Sequence, residues 1–190
     1  LASGKWRKFY VEESGIHRID LSFLRDLGFS NDEISPNTLK IYSHGGKMLP
    51  LINADTPPDF FGLPEIPLQL DLNNPTQLAS GDAIYFYAEA TEGQYSQENE
   101  THLNLYADRA YYYVTFNGGN GKRITPAAEP TAPATQSITT FNDLQYYEVD
   151  ESSLSLVGRR WFGDRFDITT QRNYSFEFPN LVTSEPVELR

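Results

Sequence analysis

The sequence contains no cysteine. That absence excludes disulfides, thiolate metal sites and a cysteine nucleophile within this chain. It leaves the compartment open, because exported proteins often manage without disulfides. Basic runs are missing as well. Against 26 acidic residues stand only 15 Lys and Arg, for a formal charge of −11. Residues 1–126 carry 10 basic and 16 acidic groups, net −6, and residues 127–190 carry 5 and 10, net −5. Neither part has the electrostatic footprint of a nucleic-acid binder or of a protein docked on an anionic membrane. No stretch approaches the ~20 apolar residues that span a bilayer, so no transmembrane segment is expected. No signal peptide is visible. The chain begins at Leu1 and its single methionine is Met48, so we expect a fragment whose leader has been removed. Pro186-Val187-Glu188-Leu189-Arg190 begins a strand-like alternation and then stops, which points to a cut end as well.

Chemistry-bearing motifs are equally scarce. No G-x-S-x-G is present. The histidines His17, His44 and His102 lie at no metal-ligand spacing, so they are read as one strand residue and two loop residues. Gly118-Gly119-Asn120-Gly121-Lys122 lacks the spacing of a phosphate loop and the helix that must follow it. It is read as a hairpin turn. Nothing selects a general acid and base from the carboxylates. Asn31-Asp32-Glu33 and Asp71-Leu72-Asn73-Asn74 offer oxygen ligands for calcium but lack EF-hand spacing. No cofactor is expected, with calcium as the minor alternative. The triplets Asn99-Glu100-Thr101 and Asn173-Tyr174-Ser175 match the glycosylation pattern, which is common by chance.

Aromatic residues are what the chain has in quantity. With 12 Tyr, 12 Phe and 2 Trp they reach 14%, within a hydrophobic share of 39%. So many large apolar side chains imply a packed fold, and aromatics favour strands. The length suffices for one domain or two small β units.

Strand signals recur along the chain. Residues 5–11 alternate, Glu13-Ser14-Gly15 can turn, and residues 16–19 return, which predicts a hairpin. Leu21, Leu24 and Leu27 fall on one helical face, with Asp20 or Ser22 as cap and Gly28 past the end. These features predict one short helix at about residues 21–27. Residues 39–42 read as a strand. Five prolines make 50–67 a surface loop. Leu68, Leu70 and Leu72 alternate with Gln69 and Asp71 in a further strand. The apolar run 83–88 suits a central strand, and 111–116 is a second strong one. Residues 89–101 read as a polar loop, and 122–124 as a short strand after the glycine turn. Further on, 144–149 can be a strand or an amphipathic turn, and 174–178 alternates as a strand.

The expected fold class is therefore mainly β: an antiparallel β-sandwich-like domain with one short helix. The expected organisation is an N-terminal β domain over 1–126, a Pro/Ala/Thr-rich connector over 127–137, and a β-rich extension over 138–190. That extension either begins a second β unit or packs back on the first.

Two surface features invite a function. Tyr85-Phe86-Tyr87 and Tyr111-Tyr112-Tyr113 can stack on sugars, although on alternating strands half of each cluster must face the core. Arg159, Arg160, Trp161 and Phe162 form a cationic–aromatic patch between Gly158 and Gly163. Arginine stacks well on Trp, and both types anchor interfaces. The patch is read as an interdomain docking surface or as a structural corner.

Several segments, in order, resemble one family. They are Trp6 to Asp20 with Phe23-Leu24, Pro36 to Tyr42 with Gly45-Gly46, and Gly81 to Tyr87. Asn104 to Asp108 leading to Tyr111-Tyr112-Tyr113 follow, then Gly118-Gly119 with Gly121 to Ile124. Last comes Gly158 to Gly163 before Phe178-Pro179-Asn180. This order resembles the N-terminal region of PorU-type proteins, the gingipain-like cysteine peptidases of the type IX secretion system in Bacteroidetes. The resemblance implies an exported parent protein at the outer membrane or cell surface, with a Cys–His peptidase domain downstream. It implies a sortase that removes C-terminal secretion signals and helps attach cargo to surface lipopolysaccharide. The implied partners are that peptidase domain and other secretion components or cargo. No catalytic residue can be carried over, because the chain has no cysteine. The expectation is a non-catalytic scaffold or docking domain. The rival is a β-sandwich module binding carbohydrate or lipopolysaccharide, and an autonomous hydrolase is a third class.

Overall fold

The structure is a computed structural model that describes residues 3–50, 52, 55, 62–97, 100–153 and 161–189. The chain divides into two compact units, Leu1–Ala128 and Glu129–Arg190. All named elements fall in the first: β1 (Trp6–Val11), β2 (Gly15–Ile19), α1 (Leu21–Asp26), β3 (Lys40–Tyr42), β4 (Glu65–Ile66), β5 (Gln69–Asp71), β6 (Ala83–Ala88), β7 (Glu92–Ser96), β8 (Thr101–Leu103) and β9 (Ala110–Thr115). The fold is mainly β and antiparallel with a short helix, as the sequence predicts, and the described residues form three sheets. A four-stranded sheet runs β1-β9-β3-β4, a three-stranded sheet β2-β6-β5, and a small one β7-β8. Among the described residues no helix is long and apolar enough to cross a membrane.

The two larger sheets face each other across one apolar core. Alternation on β6 buries Ile84, Phe86 and Ala88, and alternation on β9 buries Ala110, Tyr112 and Val114. Phe9 of β1 joins the layers: its ring stacks on Tyr112 at 5.6 Å and meets Phe86 and Phe23 edge-on at 5.9 and 5.3 Å. Such pairs add to the gain from area burial alone.

Helix α1 has its expected ends. The Asp20 carboxylate accepts from the Phe23 N–H at 3.0 Å. Gly28 takes φ +90°, and Leu27 N–H donates to Phe23 O, with Phe29 N–H on Leu24 O. Leu24 is fully buried, and Leu21 and Leu27 pack on the core. Six residues cannot hold a helix alone in water, so this packing stabilises it.

Strand partners differ from the local reading in four places. The segments 5–11 and 16–19 are strands but not a hairpin: β1 pairs with β9, and β2 pairs with β6. The chain crosses between sheets at Glu12-Glu13-Ser14, where the Ser14 hydroxyl accepts from the Ala90 N–H at 2.9 Å. The alternating segment 66–72 is also divided. Glu65–Ile66 joins β3, and beyond Pro67 residues Gln69–Asp71 join β6; proline supplies no N–H for a continuous ladder. Within the polar stretch 89–101, β7 and β8 pair around an irregular register. Residues 122–124 do not fold back on β9. Instead Leu68 and Arg123 form a parallel bridge, with Leu68 N–H on Lys122 O and Ile124 N–H on Leu68 O. Arg123 fixes this crossing by donating to Pro36 O (2.6 Å), Asn37 O (2.8 Å) and Leu39 O (3.3 Å). Half of the proline-rich segment 50–67 lies outside the described residues.

The second unit has no strand among its described residues. Segment 174–178, read as a strand from its alternation, and segment 144–149, read as a strand or an amphipathic turn, are irregular here. The regular pairing consists of one antiparallel bridge between Ser152 and Phe162. Alternation makes a strand only when a neighbouring edge accepts its backbone groups.

Candidate interaction surfaces

The residues singled out for docking are reached by a narrow bridge. Phe162 N–H donates to Ser152 O at 2.8 Å, and Phe162 O accepts from Ser152 N–H at 2.9 Å and Glu151 N–H at 3.1 Å. Gly163 lies so close to Val149 that an added Cβ would sit 2.9 Å from its carbonyl oxygen. The backbone is thereby held while the Trp161 and Phe162 side chains remain exposed. Arg159 and Arg160 lie outside the described residues.

A cluster absent from the sequence reading lies nearby in the chain. Asp164 accepts from the Tyr174 hydroxyl at 2.6 Å and the Tyr147 hydroxyl at 3.4 Å, and pairs with Arg172 at 3.5 Å. The Tyr147 and Tyr174 rings lie 4.7 Å apart. The hydrogen bond to Asp164 raises the Tyr174 phenol above its ordinary pKa. For Tyr147 desolvation leads, and the Asp164 charge adds to it. No motif spacing announces this cluster, because its members come from three irregular segments.

No described residue of 129–189 is buried. Phe141 is 84% and Ile168 96% exposed, and Leu144, Phe166 and Val187 are exposed too.

The tyrosine-rich runs divide as alternation requires. Their centres, Phe86 and Tyr112, are core residues at 1% exposure each. Burial raises the Tyr112 phenol, whose oxygen donates to Glu89 O at 2.9 Å and accepts from Glu89 N–H at 2.7 Å. The flanking residues point outward. On the outer face of the four-stranded sheet, register aligns Lys8 with Tyr113 and Tyr42, and Tyr10 with Tyr111. Tyr10 and Tyr111 meet at 6.2 Å and are 44% and 40% exposed. Arg109 lies over the Tyr10 ring at 4.2 Å, and Lys8 lies over Tyr111 at 4.7 Å. Trp6 contacts Tyr42 at 5.4 Å.

In the first candidate calcium loop Glu33 and Asn31 are engaged within the protein, and beside the second lies a buried carboxylate, Asp82. Glu33 accepts from Lys5 Nζ at 2.6 Å and from Ser30 N–H at 2.8 Å; these bonds hold its carboxyl at about 2, below the ordinary 4.5. Asn31 Oδ1 accepts from Arg25 Nε at 2.8 Å. The buried Asp82 carboxylate accepts from Ala79 N–H (2.8 Å), Asn73 N–H (3.0 Å) and Asn73 Nδ2 (2.7 Å), and these bonds lower its pKa. It pins the 73–82 loop rather than facing a ligand. Among the described residues no three His, Asp or Glu side chains are grouped to hold a metal. His17 bonds to Glu13 O at 2.9 Å, and the His102 ring packs on Tyr95 at 4.9 Å.

No protein-family model and no curated protein matches the chain. Among solved structures it is similar to the dimeric latent PorU from Porphyromonas gingivalis, with 29% sequence identity and a TM-score of 0.47. The match covers 70% of this chain and 11% of that one. The chain thus spans a small part of that protein's length, and the likeness in fold is weak.

Proposed function

We propose that this chain is a non-catalytic scaffold and docking segment of an exported, surface-associated cysteine peptidase of the gingipain-like PorU type. In this reading residues 1–126 are the scaffold and 127–137 a connector. Residues 138–190 then dock on the peptidase domain that follows in the parent protein, which removes C-terminal secretion signals from cargo. The ordered sequence motifs support the family, and the lack of cysteine fits a segment without the nucleophile. The observation that carries the docking role is the exposure of Trp161, Phe162 and the other apolar side chains of the second unit. Removing apolar surface from water yields about 25 cal/mol per Å², and large exposed patches mark interaction surfaces.

The test is binding of the 190-residue chain to the separately produced peptidase domain. Trp161→Ala with Phe162→Ala is expected to weaken binding by about tenfold or more. Undiminished binding by this variant removes the docking role, and peptide turnover by the chain alone removes the non-catalytic one. A carbohydrate-binding module is the second reading, favoured by the aromatic outer face of the four-stranded sheet.

A further inference from the structure

The four-stranded sheet buries its aliphatic residues on the inner face. Val11, Ile41 and Val114 point into the core. Its outer face carries aromatics, and those at its β1–β9 end are Tyr10, Tyr111 and Tyr113, brought into register from strands about 100 residues apart. Flat rings bearing hydroxyls, without aliphatic neighbours on β1 or β9, suit a ligand with alternating C–H and O–H faces, which is the surface of a pyranose sugar.

The charges on this end are the second observation. Arg109 and Lys8 are exposed, and each is held over a tyrosine ring. Among the described residues neither forms an ion pair, although the chain carries 26 carboxylates. Glu12 and Asp108 are close in sequence, yet neither pairs with them. Glu65 lies across the sheet on β4, beside Tyr42. A stacked guanidinium keeps its N–H donors available for a planar two-point contact with a carboxylate. The local cations, backed by rings, are complementary to an anion attached to a stackable body, against the −11 charge of the chain as a whole.

We propose that this end of the outer face binds an acidic oligosaccharide. Tyr111 and Tyr113 would stack on sugar rings, and Arg109 and Lys8 would receive a uronic-acid carboxylate. The inference stands apart from the docking role of residues 138–190.

The experiment is a calorimetric titration of the full chain with oligogalacturonate, with cellohexaose and poly-glutamate as neutral and peptide controls. Oligogalacturonate is expected to bind, and to weaken as salt rises. Arg109→Gln is expected to weaken it about tenfold or more, with an unchanged thermal midpoint. Arg109→Lys, which keeps the charge but loses the planar fork, should weaken it as well, and so should Tyr111→Ala. Failure of oligogalacturonate to bind overturns the proposal. So does equal binding of poly-glutamate, which would make the patch a general acceptor of acidic chains. Binding that is indifferent to both Arg109 variants overturns it too.

Discussion

Residues 1–128 and 129–190 are built from similar amino acids and use them in opposite ways. Both are acidic and rich in aromatics. In the first unit Phe86, Tyr112, Leu24 and their neighbours form a closed core between two sheets. In the second, no described side chain is buried, and Phe141, Phe166 and Ile168 stand in solvent. Composition alone therefore does not decide burial. A hydrophobic residue is buried when long-range pairing brings a second layer over it. In the first unit β9 pairs with β1 and β3 and β6 pairs with β2 and β5. Among the described residues, the corresponding pairing in the second unit amounts to the Ser152–Phe162 bridge. Large exposed apolar patches mark interaction surfaces in general.

Substitutions break this comparison at different depths. Phe86→Ala should cost about 3–5 kcal/mol in denaturant unfolding, because Phe86 contacts both Phe9 and Tyr112. Arg123→Gln follows, at about 2–3 kcal/mol, because its guanidinium holds the Pro36, Asn37 and Leu39 carbonyls. Tyr112→Phe should cost about 1–3 kcal/mol by leaving both Glu89 backbone groups without their shared hydroxyl.

Asp20→Asn tests the first unit's electrostatics with a smaller effect. The Phe23 N–H, then the Ser22 hydroxyl, hold the Asp20 carboxyl at about 2, below its ordinary 3.8. Its folded pKa is depressed, so its contribution is complete above the unfolded value and is lost as pH falls from 3.8 toward 2. Acid titration of the variant's stability should be flatter in that window than the parent's. At the bottom of the scale, Ile168→Ser should change stability by about 0.5 kcal/mol or less, since Ile168 is 96% exposed. A large loss there would show that the two units do not differ as described.

Local signals in the sequence specify elements well and partners poorly. The helix is legible because Asp20, the three leucines and Gly28 are contiguous. Strands β6 and β9 are legible because Ala83–Ala88 and Ala110–Thr115 are dense in apolar residues. Pairing is not: nothing local shows that Phe9 meets Tyr112 rather than a neighbour across the Glu13-Ser14-Gly15 turn. Strands β7 and β8 are hidden by polar residues and by positive φ at Gly93 and Glu100. The outer face is half legible. Alternation shows that Tyr111 and Tyr113 face away from Tyr112, whereas the arrival of Lys8, Tyr10 and Arg109 beside them depends on register. In the patch read from sequence as a docking surface or a structural corner, Trp161 and Phe162 are legible but the Ser152 bridge that holds them is not.

Hydrogen exchange on the 190-residue chain, alone and with the peptidase domain proposed as its partner, tests the central contrast most directly. The account predicts slow exchange across β6 and β9 in both samples, fast exchange across 129–189 in the chain alone, and protection there when the peptidase domain is added. Slow exchange of 129–189 in the isolated chain, or none gained on adding the domain, would contradict it.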